Sequence, residues 1–408
     1  MDHYDVLIIG AGPVGSHVAC RLAGLGYRVA VLEEHEGIGD HVCCTGIISR
    51  ECAQFAGINE VSDGCVLKVA HSARLFAPSG DFLRVSKDEV QAYILDRAAF
   101  DRCLAEKAER QGAEYFLASY VRDIKVSGDE VRVWVDQRGE VLTFRGRVAI
   151  IANGFASKLP EGLGLGQIKD FIIGAQTEVE TNGISEVEVY FSQRIAPGFF
   201  AWLVPVSQHR ARVGLFSREK PGAYLREFLA QLAAQGKIST SSGSGTSLTT
   251  CAEGTISYRG IPLKPLPRTY GDRVLVVGDA AGQVKPTTGG GIYYGLLCAD
   301  MASKAVHEAF GANDFSRRKL AEYERLWKRK LGRELQIGYF ARRLYNGLSD
   351  KRIEKIFSII RDNNIHEALL DSPHFSFDRH GGLILDGLKR LAPWRYLLGK
   401  YSIPRDVL

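Results

Sequence analysis

The chain is expected to be an α/β protein: a parallel sheet of the nucleotide-binding kind, interrupted by antiparallel strands and followed by a helical C-terminal region. Three observations lead there. Asp5–Ile9 has strand character and runs into Gly10-x-Gly12-x-x-Gly15 and then an apolar-periodic helix with Val18, Ala19, Leu22 and Ala23 on one face. Buried-strand runs recur far downstream at Arg147–Ala152 and around Arg273–Val277, with alternating segments between them. From about residue 313 the pattern turns helical and basic. Strand, glycine turn, helix and returning strand make the first unit Rossmann-type.

In that unit Gly10 permits the tight turn, Gly12 lets the backbone approach a pyrophosphate, and Gly15 lets helix and strand pack closely. Pro13 opens the helix, whose free N–H groups and dipole then face phosphate oxygens. The second strand, Tyr27–Leu32, ends in Glu33, where an acid is placed to bind a ribose hydroxyl. A polar, glycine-rich loop, Glu34–Gly46, follows directly and carries the adjacent Cys43 and Cys44.

Further along, residues 67–86 alternate around Pro78–Asp81 and suggest a hairpin in an antiparallel layer. Asp96 caps a helix whose Phe100, Leu104 and Ala108 share a face, ending near Gly112. Residues 114–150 read as strands, and residues 170–215 are strand-rich. Ser239–Thr246 is a Ser/Gly-rich surface loop by composition. The nucleotide-domain strands are therefore separated by other material, which makes the domain discontinuous. We assign residues 1–65, 90–165 and 266–312 to it, residues 66–89 and 166–265 to an antiparallel substrate domain, and residues 313–408 to the C-terminal helices.

Size and composition agree with this division. A chain of 408 residues exceeds one core, and 45% hydrophobic with 24% charged residues is ordinary for a globular protein. The chain enters its first strand almost at once, so no secretion signal is expected. No run approaches the ~18 apolar residues of a spanning helix. The cytoplasm is the expected compartment, with contact to a membrane surface left open. A net charge of +5 suits an anionic ligand or a membrane face, and nucleic acid is not expected because no recognition motif accompanies the basic residues. Eight cysteines, at 20, 43, 44, 52, 65, 103, 251 and 298, lack CxxC pairs and zinc spacing.

The second strong signal is Val276-Val-Gly-Asp-Ala-Ala-Gly-Gln-Val-Lys-Pro-Thr-Thr-Gly-Gly-Gly-Ile292. Asp279, at the end of a buried strand, can accept a sugar hydroxyl. Gly289, Gly290 and Gly291, before a helix starting at Ile292, leave N–H groups free for an electron-rich ring edge. Two such ends on one ligand point to FAD rather than NAD.

On these residues the chain resembles the geranylgeranyl reductase family of FAD proteins, within the group that includes p-hydroxybenzoate hydroxylase. The resemblance runs from residue 5 to about 310 and is most specific over Gly278–Ile292. Ile94-Leu-Asp-Arg97 followed by Phe100-Asp101 matches a helix start whose arginine, here Arg97, lies near the pyrophosphate. Pro197–Pro205 is similar to the P-x-x-Y-x-W-x-F-P segment lining the substrate cavity, which nominates Phe199, Phe200 and Trp202. Phenylalanine stands where the family has tyrosine, and Val204 where it has phenylalanine. Ile38–Gly46 matches I-G-x-P-V-x-C-x-x-G with His41 at the proline and one residue fewer before the glycine, so Cys44 takes the place of the family's cysteine near the flavin. Tyr293 and Tyr294 begin the helix beside the expected flavin edge.

The resemblance implies reduction of isolated double bonds in an isoprenoid lipid, quinone or prenyl diphosphate by reduced FAD. Cys44 is then the candidate proton donor, and Tyr293 a candidate substrate contact. No second glycine triplet follows a strand, so NAD(P)H is expected to bind transiently, or a ferredoxin or quinol to supply electrons. A flavin monooxygenase of the aromatic hydroxylase type and a non-catalytic prenyl carrier use related architecture and stand as alternatives. Phe200-Ala-Trp202 lacks the tryptophan pair of flavin halogenases. In Arg317–Leu335, Tyr323, Trp327, Leu331 and Leu335 share one face of a basic helix. That face suits packing on the catalytic domain or, alternatively, an anionic leaflet, and Trp394–Leu398 fits either.

Overall fold

The computed structural model describes residues 3–58, 64–155, 157–239 and 255–398. Most of the Ser239–Thr246 loop lies outside the described residues.

The first strand, His3–Ile9, sits in the middle of a parallel array. Val6–Ile9 pair with Val29–Leu32 on one side and with Val148–Ile151 on the other. Beyond these lie Glu114–Phe116 at one end and Val274–Val276 at the other, also parallel. Both faces are covered, which is why these strands are apolar throughout rather than alternating. Val6, Ile8, Val29, Val31, Val148 and Ile150 pack under helices, whereas Leu7, Ile9, Ala30, Leu32, Ala149 and Ile151 face Val131, Val133 and Val135. Helix Pro13–Ala23 lies between helices Arg97–Arg110 and Ile292–Gly311. The Asp96 carboxylate caps the second of these, accepting from Ala99 N–H at 3.0 Å.

A seven-stranded sheet stands apart, ordered Ser257–Pro262, Phe171–Glu180, Arg210–Ser217, Ala201–Pro205, Val187–Tyr190, Ser72–Phe76, Phe82–Ser86. Its two faces separate by the two-residue period. Leu203, Val213 and Leu215 pack under helix Pro221–Ala234, while Trp202, Val204 and Phe216 point the other way and meet Ile94, Ile261 and Val284. The hairpin expected over 67–86 is formed by Ser72–Phe76 and Phe82–Ser86 alone. Leu67 and Val69 belong to a separate three-stranded sheet in which Val66–Ala70 pairs with Ala92–Leu95, itself paired with Ile47–Ser49. Alternation identifies a strand's faces but not its partner, so the two neighbouring runs read as one unit.

The 30-residue helix Arg317–Asn346 is capped by Ser316 and lies against the nucleotide domain. Tyr323, Trp327, Leu331 and Leu335 are buried in its core. Their polar atoms are satisfied: Trp327 Nε1 donates to Thr269 Oγ1 at 2.9 Å and Tyr323 OH to the Val276 carbonyl at 2.9 Å. The apolar stripe is therefore inside, and only the basic side, with Arg325, Lys328 and Arg329, faces outward. Trp394 packs on a small cluster of Ile359, Ile365 and Leu397. Among the described residues no helix is long and apolar enough to cross a membrane. Because Trp327 is 1% exposed, Trp327→Ala should destabilise the fold by about 3–5 kcal/mol, against less than about 0.5 kcal/mol for Arg329→Ala, measured by denaturant unfolding.

Candidate active site

The glycine turn forms one wall of a cleft. Gly10 has φ +101°, and a Cβ there would press on Asn153 Cα at 2.7 Å. A Cβ on Gly15 would overlap the Gly10 carbonyl oxygen, so Gly15 lies behind the turn and does not line the cleft. A Cβ on Gly12 would meet nothing within 4 Å, because this residue faces the open cleft. Helix Pro13–Ala23 starts there with Pro13 in its first turn and no side-chain cap, leaving its first N–H groups to the cleft. Glu33 lines the same wall. Its carboxylate accepts from Ala11 N–H at 2.7 Å and from His35 Nδ1 at 2.6 Å, so it also braces the turn.

Gly12 and Asp279 line this one cleft, although 267 positions separate them (279 − 12). Asp279 follows strand Val274–Val276, and a Cβ on Gly291 would overlap its carboxylate. Gly289, Gly290, Gly291, Ile292 and Tyr293 line the cleft where helix Ile292–Gly311 begins, again without a side-chain cap. Two helix starts thus offer unsatisfied N–H groups to one space. Between them the buried Asn153 Oδ1 finds no donor among the described residues. These donors and this acceptor fit the pyrophosphate, ring edge and hydroxyls of FAD.

Arg97 also lines the cleft, with its guanidinium held by Asp101 at 2.9 Å and interacting with the Cys44 side chain. The Cys44 sulfur accepts from Gly46 N–H at 3.4 Å. The loop is fastened from the seven-stranded sheet: Gln176 Nε2 donates to the Cys44 carbonyl at 3.0 Å, and Arg212 Nη1 to those of Thr45 and Leu95 at 2.8 and 2.9 Å. Trp202 Nε1 donates to Gln176 Oε1 at 3.3 Å, so the aromatic wall and the cysteine loop share one hydrogen-bonded chain. Burial first, and then the neighbouring Cys44, pushes the Cys43 thiol up to about 11. Arg259, from strand Ser257–Pro262, reaches across to within 3.7 Å of Asp279.

Trp202 and Phe216 line the cleft, their rings 4.8 Å apart. Phe199 and Phe200 do not line it. They precede strand Ala201–Pro205 and form the layer behind, 6.4 and 5.5 Å from the Phe216 ring. Tyr293 OH donates to Glu51, whereas the buried Tyr294 donates to the Asp378 carbonyl at 2.9 Å.

Residues missed by sequence reasoning close the far side. Lys285 Nζ lies 2.9 Å from Asp378 Oδ1, and both are buried against the cleft. Ser49 Oγ donates to the other Asp378 oxygen. His380 is held between Thr287 Oγ1 at 2.7 Å and the Phe377 carbonyl at 2.8 Å. Lys285 lies inside the glycine-rich motif and could have been singled out as a cation there. Asp378 had no local signal, since its partner is 93 positions away.

A cleft with two uncapped helix starts, glycine approaches and an acid at each end defines an FAD-binding flavoprotein of α/β fold, and residues 3–297 match the FAD binding domain family. The chain belongs to the digeranylgeranylglycerophospholipid reductase family. It is 32% identical to the protein of that name from Methanocaldococcus jannaschii, over 87% of this chain and 90% of the relative. It is 31% identical to digeranylgeranylglycerophospholipid reductase 2 of Methanopyrus kandleri, over 86% and 89%. The crystal structure of a geranylgeranyl bacteriochlorophyll reductase-like protein from Thermoplasma acidophilum superposes with a TM-score of 0.82 at 23% identity, covering 97% of this chain and all of that one, which shows the shared fold.

Burial and the nearby Lys285 lower His380 from 6.5 to about 4. The unfolded chain therefore binds more protons than the folded one between these values. Stability from this group is full above pH 6.5 and falls as the pH drops toward 4, by up to ~3 kcal/mol. His380→Gln should flatten the unfolding midpoint between pH 6.5 and 4, and an unchanged slope would assign the acid sensitivity elsewhere.

Proposed function

We propose that this chain uses FAD to saturate isolated carbon–carbon double bonds in a geranylgeranyl-type isoprenoid lipid. One observation carries the reading: near full-length likeness to relatives named for reducing such a lipid, in a chain whose cofactor cleft abuts an apolar, aromatic wall. Bound FAD, once reduced, supplies the hydride. We assign Gly12, Pro13 and Arg97 to the pyrophosphate, Glu33 to the ribose, and Asp279 with Gly289–Ile292 to the flavin end, while Gly10 and Gly15 shape the turn.

A plain prenyl double bond is not polarised by a carbonyl, so proton arrival at its less substituted carbon would leave cation character at the more substituted neighbour, the carbon that takes the hydride. Trp202 and Phe216 would face that charge with their rings and keep water out. Phe199 and Phe200 support this wall from behind. Tyr293, tied to Glu51, borders the space at the cofactor end. Cys44 is our candidate for the proton that completes the alkane. Gly46 N–H and the Arg97 guanidinium are placed to hold the charge left on sulfur once the proton departs. At Cys43 burial holds the proton on the thiol. Electrons would come from NAD(P)H or a ferredoxin binding transiently. The outward basic side of helix Arg317–Asn346 would meet an anionic leaflet through charge alone, since its apolar stripe is buried.

Dithionite-reduced, FAD-loaded protein, incubated anaerobically with a panel of geranylgeranyl lipids, should add the mass of two hydrogens per saturated bond. Oxygen uptake with a hydroxylated product would replace this reading with a monooxygenase. Colourless protein that ignores added FAD would favour a carrier. Cys44→Ser should slow saturation by about 100-fold or more with FAD occupancy intact, and a retained rate would remove the thiol from the mechanism.

A further inference from the structure

Helix Arg317–Asn346 carries a second feature that neither the cofactor cleft nor the packing of the helix uses. Arg342 is only 7% exposed, and among the described residues its Nε and Nη2 meet no hydrogen-bond acceptor. One turn on, the buried Tyr345 OH also meets none. The guanidinium carbon lies 3.0 Å from the centre of the Phe199 ring and 5.6 Å from that of Tyr345, so the two sets of unused donors are neighbours. Asp350, which acts on Tyr345, and Asp170, which holds Arg218, are already engaged. Asp350 accepts from Gln193 N–H at 2.6 Å and Ser192 Oγ at 3.2 Å. Asp170 pairs with Arg218 at 2.8 Å and accepts from Tyr339 OH at 2.6 Å. Arg218 acts on Arg342 as a like charge.

Burial lowers Arg342 to about 9, which still leaves it cationic at neutral pH. A buried charge faced by the Phe199 ring, with two N–H groups unmatched and no counter-ion among the described residues, is costly, and a planar guanidinium beside a phenol O–H is donor chemistry suited to a phosphate. The place also fits. Phe199 packs on Arg342 and, 6.4 Å away, on Phe216, which lines the cofactor cleft, so the donors border the apolar cluster behind that cleft.

We propose that Arg342 and Tyr345 form a phosphate-binding site that holds the headgroup phosphate of the lipid while its isoprenoid chain crosses the apolar cluster to the cofactor cleft. This rests on the prenyl-reductase reading above. The phosphate chemistry would equally take free phosphate or pyrophosphate, and the test separates the two.

The FAD-loaded enzyme is assayed anaerobically with geranylgeranyl diphosphate and with geranylgeraniol. In Arg342→Leu the ratio of kcat/KM for the diphosphate to that for the alcohol should fall about tenfold or more, with a smaller fall in Tyr345→Phe. The unfolding midpoint of Arg342→Leu should not drop, because an uncompensated buried charge has been removed. A preserved ratio together with a lowered midpoint would make Arg342 a structural prop for Phe199 and overturn the proposal. Inorganic pyrophosphate, added alone, should raise the midpoint of the wild type but not of Arg342→Leu. That shift with an unchanged ratio would make this a free-anion site and overturn the headgroup assignment. If the wild type reduces neither substrate, the prenyl-reductase reading and the headgroup assignment resting on it both fall, and the pyrophosphate arm then decides whether an anion site exists at all.

Discussion

Two helices begin at one cleft with no side chain to cap them, and much of the molecule is arranged so that this holds. Helices Pro13–Ala23 and Ile292–Gly311 each start beyond a strand of the same parallel sheet, and each leaves its first N–H groups facing inward. Left dry and unmatched, such groups would be costly, so the arrangement is stable when a polar ligand satisfies both. A cofactor with a pyrophosphate at one end and an electron-rich ring at the other does so. Sheet order supplies the convergence: Val274–Val276, Glu140–Ile151 and His3–Ile9 lie side by side, although long stretches of chain separate them.

The cleft is shared by units that are distant in sequence. Gln176 and Arg212 reach from the seven-stranded sheet to the carbonyls of the cysteine loop, and Trp202 is joined to Gln176. The apolar wall and the thiol are thereby positioned together, which suits a reaction in which hydride and proton reach adjacent carbons. On the other side, the Lys285–Asp378 pair and His380 fasten residues 377–380 to the glycine-rich motif. The C-terminal region is therefore part of the wall around the site. The aromatic layer behind the wall runs on to Arg342, so the apolar cluster has the cofactor at one end and unmatched donors at the other.

The fold alone supports several flavin chemistries. The TM-score of 0.82 at 23% identity speaks to architecture, and family membership comes from likeness over nearly the whole chain. What distinguishes the site chemically is the company of the cleft: Cys44 beside Arg97, aromatic rings opposite, and an apolar cluster behind them.

The amino-acid sequence by itself determined the features that obey local rules. Gly10 with its left-handed φ and Gly15 with its close approach to the Gly10 carbonyl follow from the geometry of one turn, and the buried parallel strands betray themselves by unbroken apolar runs. Asp96 as a cap and the stripe from Tyr323 to Leu335 follow from helical spacing. Tertiary structure alone decided the rest, because partners distant in sequence leave no local trace. The strand at Val66–Ala70 chose a different sheet from the hairpin beside it. Phe199 and Phe200 lie one layer back from the cleft that Trp202 reaches, since neighbouring strands determine which space a side chain enters. The stripe of the long helix proved to be core because Thr269 and Val276 stand ready to accept from Trp327 and Tyr323. Asp378 finds Lys285, and Arg342 finds no carboxylate among the described residues, for the same reason: the cost of burying a charge is settled by what folding brings within a few ångströms of it.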